Sequence, residues 1–165
     1  MRQPFVRRLR ETLYPPLTGI SNTWFTPLKL EDPYPADFAY FQARCHQAGQ
    51  TRPTPLLLKY GPGDYDCLHR DLYGALAFPL QVAFLIDAPW RGFTDGKFVL
   101  TEQRPHMQSR FEVVPIRHGD GGIFPVDHRP VPSAKRTYRT RMRHEVSRIR
   151  SEARHTLGII FHDSA

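Results

Sequence analysis

Chemistry in this sequence concentrates at His69-Arg70-Asp71, which follows the apolar run Leu56-Leu57-Leu58 and the turn Gly61-Pro62-Gly63. In an extended strand, residues two apart face the same side. His69 and Asp71 would then stand side by side, about 6.6 Å apart at the backbone for a rise of ~3.3 Å per residue. An imidazole and a carboxylate at that spacing can share one metal ion. With a second imidazole they would hold a ferrous ion on one side and leave its other positions open. His-Arg-Asp-Leu also opens the catalytic loop of protein kinases. That loop needs an Asn where Leu76 stands, and neither a Gly-rich loop nor a Val-Ala-Ile-Lys strand precedes it. The kinase reading is rejected.

A second imidazole must come from a later strand. The segment from Tyr138 to His144 alternates, with Arg139, Arg141 and Arg143 on one face and Tyr138, Thr140, Met142 and His144 on the other. A charged outer face over a mixed apolar inner face is a half-buried strand, so His144 points inward. Ten residues later, Arg154 opens the apolar run that ends at Phe161. A dicarboxylate such as 2-oxoglutarate would chelate iron through its keto-acid end, and a guanidinium is suited to grip its far carboxylate in a bidentate way. His128 is the runner-up for the second imidazole, but the residue ten positions on is Tyr138, which cannot clamp a carboxylate as a cation does. Zinc would accept the same ligands, yet a zinc hydrolase offers no special need for Arg154. No Gly-x-Ser-x-Gly elbow supports a serine hydrolase. Cys67 shares the expected strand face and is read as a small packed residue. His162 is read as a hydrogen-bonded structural histidine.

The ordered set His69-x-Asp71, His144 and Arg154 resembles the Fe(II)/2-oxoglutarate-dependent dioxygenases, particularly the prolyl-hydroxylase-like branch. The segments Leu58 to Tyr65, Phe98 to Pro105 and Gly158 to Asp163 resemble a bacterial family of such oxygenases proposed to act on damaged nucleic acid, as the AlkB-like repair dioxygenases do. The resemblance runs from about Tyr14 to the C-terminus. It implies His69, Asp71 and His144 as iron ligands, Arg154 as the anchor of 2-oxoglutarate, and Tyr60 as a further hydrogen-bond partner of that co-substrate. It implies O₂ as the oxidant. It departs at Asp95-Gly96-Lys97-Phe98 and at Gly119 to Phe124, neither of which carries an expected ligand. Within that resemblance, oxidative demethylation of DNA or RNA, a prolyl-type peptide hydroxylase and a catalytically decayed nucleic-acid-binding jelly roll are the three alternatives.

These residues need strands to position them. Candidate strands are Pro55 to Tyr60, Cys67 to Leu72, Leu80 to Ile86, Lys97 to Glu102, Glu112 to Ile116, Gly122 to Val126, Tyr138 to Val146 and His155 to Phe161. Such a series after a helical N-terminal region fits a mainly β fold, a double-stranded β-helix of the jelly-roll, cupin-like type. One domain over residues 1–165 is expected, with 1–50 as helical support and 55–163 as the jelly-roll core. Phe5, Leu9 and Leu13 suggest a short amphipathic helix stopped by Pro15-Pro16. A second helix is expected from Leu17 to Leu28, with Ser21 or Asn22 as its cap. A third is expected from Tyr34 to Ala48, with Pro35 in its first turn, Phe38, Phe41 and Cys45 on one face, and Gly49 ending it.

The 165 residues carry 23 Lys and Arg against 16 Asp and Glu, a net charge of +7. An excess of that size favours polyanionic partners and says nothing of fold. The basic run from Lys135 to Arg150 presents Arg139, Arg141 and Arg143 outward, an arrangement that could hold a phosphate backbone near the mouth of the site. Tyr65, Tyr73, Trp90 and Phe93 could stack on an extruded base. The basic N-terminal stretch, Arg2, Arg7, Arg8 and Arg10, reads as a solvated face. Two cysteines, Cys45 and Cys67, give no disulfide framework. No segment has the length and apolarity of a membrane span and no signal-peptide core is visible, so a cytoplasmic protein is expected.

Overall fold

Apolar and alternating runs after Pro55 pair into antiparallel strands in the computed structural model of the chain, which describes residues 3–30, 32–134 and 136–165. Arg2 and Lys135 of the basic runs lie outside the described residues. In chain order the strands are β1 (Leu56–Tyr60), β2 (Asp66–His69), β3 (Leu80–Leu85), β4 (Phe93–Asp95), β5 (Phe98–Gln103), β6 (Arg110–Val114), β7 (Gly121–Pro125), β8 (His128–Pro132), β9 (Thr137–Val146), β10 (Ile149–Glu152) and β11 (Arg154–Ile159). One sheet runs β1-β11-β3-β7 and the other β2-β9-β5-β6, with β8 added beside β9 and β4 paired with β10. The chain crosses from one sheet to the other between β1, β2 and β3, and again on either side of β7, and the last strand of each sheet returns beside its first. That is the wiring of a double-stranded β-helix. Tyr60, Ala83 and Phe124 of one sheet pack against Phe98 and Val146 of the other, so the two sheets face each other.

Three strands escape the sequence reading. β8 contains Pro130 and Pro132, which argue against a strand interior, but it pairs with β9 alone, and proline is tolerated in such edge strands. β4 and β10 have three and four residues, too few to show a period.

The helices are α1 (Gln3–Asn22), α2 (Phe25–Leu28) and α3 (Phe38–Gln47). Pro15 and Pro16 do not end the first helix; it runs through them. Both prolines are exposed, as are Glu11 and Thr12, whose carbonyls lose their partners and can be met by water. Tyr14 and Leu17, buried on the opposite side, tie the two halves to one core. Ser21 is buried inside the helix, and Asn22 locks the backbone of Tyr34 in both directions, at 2.9 and 3.0 Å; neither caps a second helix. Phe5 is exposed and Arg10 is buried, so the N-terminal helix is not simply a solvated cationic face. The third helix starts four residues later than expected because Asp37 caps it, accepting from the Ala39 amide at 2.7 Å. Phe38, Phe41 and Cys45 form its buried face, and Gly49 follows it at φ 82°.

The first and third helices cover the outer side of the β1-β11-β3-β7 sheet, while α2 packs against β8 and β9. Tyr14, Phe38, Phe41, Phe78 and Phe161 cluster with ring centroids 4.8 to 6.5 Å apart, against Leu80, Leu157 and Ile159 of the strands. Both faces of β3 and β11 are therefore covered, which leaves their inward residues free to line a cavity between the sheets.

Candidate active site

Strand pairing sets the site. β2 and β9 are antiparallel with His69 directly opposite His144, and the two rings lie 4.1 Å apart, centroid to centroid. Thr140, Met142 and His144 of β9 are buried while Arg139, Arg141 and Arg143 are exposed, so the alternation read from the sequence holds. β2 is shorter than expected. It stops at His69, and Asp71 sits in the following coil with 5% of its surface exposed. The pairing with β9 is irregular between Asp66 and His69, and Cys67 is exposed rather than packed. His69 and Asp71 thus meet through a strand end and a turn, not along one strand face.

The three side chains converge. Asp71 Oδ1 is 3.5 Å from His69 Nε2, and Asp71 Oδ2 is 3.3 Å from His144 Nε2. One donor atom from each lies within 4.8 Å of the others. The tautomer also suits a metal: His69 Nδ1 lies 2.6 Å from the Cys67 carbonyl, an acceptor that fixes a proton on Nδ1 and leaves Nε2 for coordination. Hydrogen bonding to Asp71, against partial burial, raises His69 to about 9. Burial would push Asp71 up, but hydrogen bonds from His144, His69 and Tyr73 outweigh it and hold the carboxyl well below its ordinary range. This donor set fits a divalent ion with open positions.

Arg154 points into the same cavity, of 390 Å³, lined also by Tyr60, Thr156 and Gly158. It is 2% exposed, and its guanidinium carbon lies 5.6 Å from the Tyr60 ring and 5.9 Å from the Phe93 ring. Nη1 donates to Thr156 Oγ1, while Nε has no partner among the described residues. No ion pair to Arg154 exists among the described residues either. Burial lowers its pKa, partly offset by Tyr60 and Asp87. A buried cation without a carboxylate is costly unless an anion joins it. The Tyr60 hydroxyl donates to Asp66 at 3.3 Å, and burial, with Asp66 adding to it, raises its pKa.

Residues 2–164 match the family model Oxygenase-NA, described as an oxygenase catalysing oxidative methylation of damaged DNA. The chain belongs to this family. Two uncharacterized proteins of Mycobacterium tuberculosis, from strains CDC 1551 / Oshkosh and ATCC 25618 / H37Rv, are each 44% identical to it over 160 residues, covering 97% of this chain and 69% of theirs. A solved structure of a Pseudomonas putida prolyl-4-hydroxylase overlaps 93% of this chain and 83% of that one, at 14% identity and a TM-score of 0.44.

This Oxygenase-NA chain supports its candidate ligands with residues that no local pattern announces. Gln81 of β3 donates to Asp71 Oδ2 at 2.8 Å and lies 3.4 Å from His144 Nε2. The Tyr73 hydroxyl donates to Asp71 Oδ1 at 2.6 Å. His162 accepts from the Phe78 amide at 3.2 Å and lies 3.1 Å from the Asp71 carbonyl. It is fully buried and lowered to about 4 by that burial, the structural histidine expected. Gly96, at φ 56°, is required where it stands: a Cβ there would come 2.2 Å from Ile149 Cδ1 and 2.9 Å from Arg154 Cδ. His128 does not approach the cluster. It sits on β8 opposite Arg141, its Nδ1 2.5 Å from Asp127. Of the aromatic candidates for stacking, Tyr65 and Tyr73 line the cavity, Phe93 is buried beneath Arg154, and Trp90 lines a neighbouring cavity with Lys97.

Proposed function

We propose that this oxygenase depends on Fe(II) and 2-oxoglutarate and oxidises C–H bonds of methylated bases in damaged DNA or RNA. The observation that carries the co-substrate is Arg154, a buried guanidinium that no carboxylate pairs with among the described residues, in the cavity that also receives His69, Asp71 and His144. Those three would hold the iron through His69 Nε2, His144 Nε2 and an Asp71 oxygen. Arg154 would pair with the far carboxylate of the keto acid, a charge-assisted and bidentate contact. Tyr60 packs against the guanidinium face and Thr156 fixes one of its nitrogens, so its fork is oriented before the ligand arrives. Bound iron and keto acid would supply oxidation of the substrate by O₂, with succinate and CO₂ as co-products; an N-methyl group so oxidised is lost as formaldehyde.

The nucleic-acid substrate draws its support from the family description, from the +7 charge and from Tyr65 and Tyr73 at the cavity, where a flipped base would stack. An anaerobic titration of the Fe(II)-loaded protein with 2-oxoglutarate tests the co-substrate. A weak visible charge-transfer band should appear and should weaken in Arg154→Ala. Formaldehyde release from a methylated oligonucleotide tests the substrate, and hydroxylated peptide without formaldehyde would refute it.

A further inference from the structure

The inner face of β9 carries His144; its outer face carries something else. Arg139, Arg141 and Arg143 are exposed there, and none forms an ion pair among the described residues. They are spaced about 6.8 Å apart along the strand at ~3.4 Å per residue. Residues directly opposite in a sheet share a face. Arg143 pairs with Thr101 of β5, and Thr101 pairs with Phe111 of β6. Phe111 therefore stands on the same outward face, two strands or about 9.6 Å from the arginine row, with 70% of its surface exposed. Val113, 42% exposed, follows it along β6. Opposite Arg139 and Arg141 on the other side lie Pro130 and His128 of β8. Glu145 is the acid that continues the row; Asp127, beside Met142 in the middle of it, is taken up by Arg70 and His128, and Asp32 lines a cavity with Arg139 without forming an ion pair to it among the described residues. Three cations without ion pairs, two strands from an exposed aromatic on the same face, are what a single-stranded nucleic acid needs: charge for its backbone and a ring for an unpaired base.

We propose that this outer face is a second nucleic-acid contact, on the opposite side of the sheet from the metal cluster. Arg139, Arg141 and Arg143 neutralise phosphates of one strand, and Phe111 stacks an unpaired base beside them. The face thus holds unmodified flanking sequence, while the cavity selects the damaged base. The assignment rests on the nucleic-acid reading given above, but it is separable from it. It also moves the expected phosphate contact: the arginines lie on the back of the sheet rather than facing the cavity.

The test uses the full chain and a labelled oligothymidylate 12-mer without any methylated base, followed by fluorescence anisotropy at several salt concentrations. Wild type should bind, with an affinity that falls as salt rises. The triple variant R139A/R141A/R143A should lose about two from the slope of log K against log salt, at ~0.7 per phosphate contact on a single strand. Arg141→Gln alone should lose about 0.7 of slope, which keeps the test valid if the triple variant is unstable. Phe111→Ala should weaken binding at least about fivefold with the slope unchanged. Mn(II) affinity, read by electron paramagnetic resonance, should be unaltered in all of them. Unchanged slopes in the arginine variants, with formaldehyde release from a methylated oligonucleotide intact, would overturn this contact and leave the substrate reading standing. No oligonucleotide binding by wild type at low salt would overturn both. Equal competition by polyglutamate at matched charge, with Phe111→Ala silent, would make the face a protein contact and overturn the proposal.

Discussion

Arg154→Met should make the protein more stable and less able to bind its keto acid, and the two effects can be measured together. Arg154 is 2% exposed and has no carboxylate partner among the described residues. The effective cost of burying a lone ion is several kcal/mol. Against it stand two aromatic contacts, at 5.6 and 5.9 Å, each of about 0.5–2 kcal/mol, and the bond to Thr156. The unsatisfied Nε adds about 1–3 kcal/mol to the cost. Replacing the guanidinium by a shorter, unbranched apolar chain should therefore stabilise the metal-loaded, keto-acid-free protein by about 1–3 kcal/mol. For a chain of this size that raises Tm by roughly 2–4 °C per kcal/mol. Binding of 2-oxoglutarate at about 1,000 times its Kd should stabilise wild type by ~4.1 kcal/mol and should leave the variant unmoved. Thermal unfolding under nitrogen with Mn(II) in place of iron reads both. The order of the two proteins should invert on adding 2-oxoglutarate. A variant that melts below wild type without the keto acid, or that gains the same shift from it, would refute the idea that the lone cation awaits an anion.

Removing a donor should abolish tight metal binding: His144→Ala and His69→Ala should each lose the Mn(II) resonance of the bound ion, and retention in both would place the metal elsewhere. Gln81→Leu should weaken Mn(II) by about 10–100-fold by freeing the Asp71 carboxylate to turn; an unchanged affinity would make Gln81 mere packing. Burial pushes Asp163 up, but Arg10 at 2.8 Å outweighs it and holds the carboxyl below its ordinary value of 3.8. A depressed folded value means stability present above about pH 4 and lost as pH falls toward the folded value. Asp163→Asn should flatten that part of the acid-unfolding profile and cost about 3–5 kcal/mol near neutrality by stranding Arg10, as measured by urea unfolding.

What the sequence made legible was periodic. β9 alternates over ten residues, so both the inward His144 and the outward arginines could be read without a structure. Arg154 could be placed by its offset from His144, and Phe38, Phe41 and Cys45 by helical spacing. What stayed hidden was decided by contacts distant in sequence. Asp71 looked like a strand residue because His-x-Asp has the strand period, yet β2 ends at His69. Cys67 turned outward for the same reason, since an irregular edge pairing breaks the alternation. Pro15 and Pro16 signal a helix end locally, and burial of Tyr14 and Leu17 on the other side overrides it. Gln81 reaches Asp71 across ten residues and His144 across 63, separations no local pattern reports.

The helical layer and the candidate metal centre are one construction. Arg10 of the first helix donates to the Phe161 carbonyl and to Asp163. Between those two lies His162, whose own carbonyl accepts from Thr54. Gln50, just after the third helix, holds the Asp163 carbonyl, and Gln42 and His46 within that helix hold its carboxylate. His162, gripped on both sides, then bonds the Asp71 carbonyl. Asp71 has left the β2 ladder, so no sheet hydrogen bonds fix its backbone. The helices do that instead, through a buried relay that ends on the one candidate ligand not carried by a strand. This accounts for a buried ion pair and a fully buried imidazole in a region that lies outside the barrel: their burial is costly, and what they secure is the position of a carboxylate.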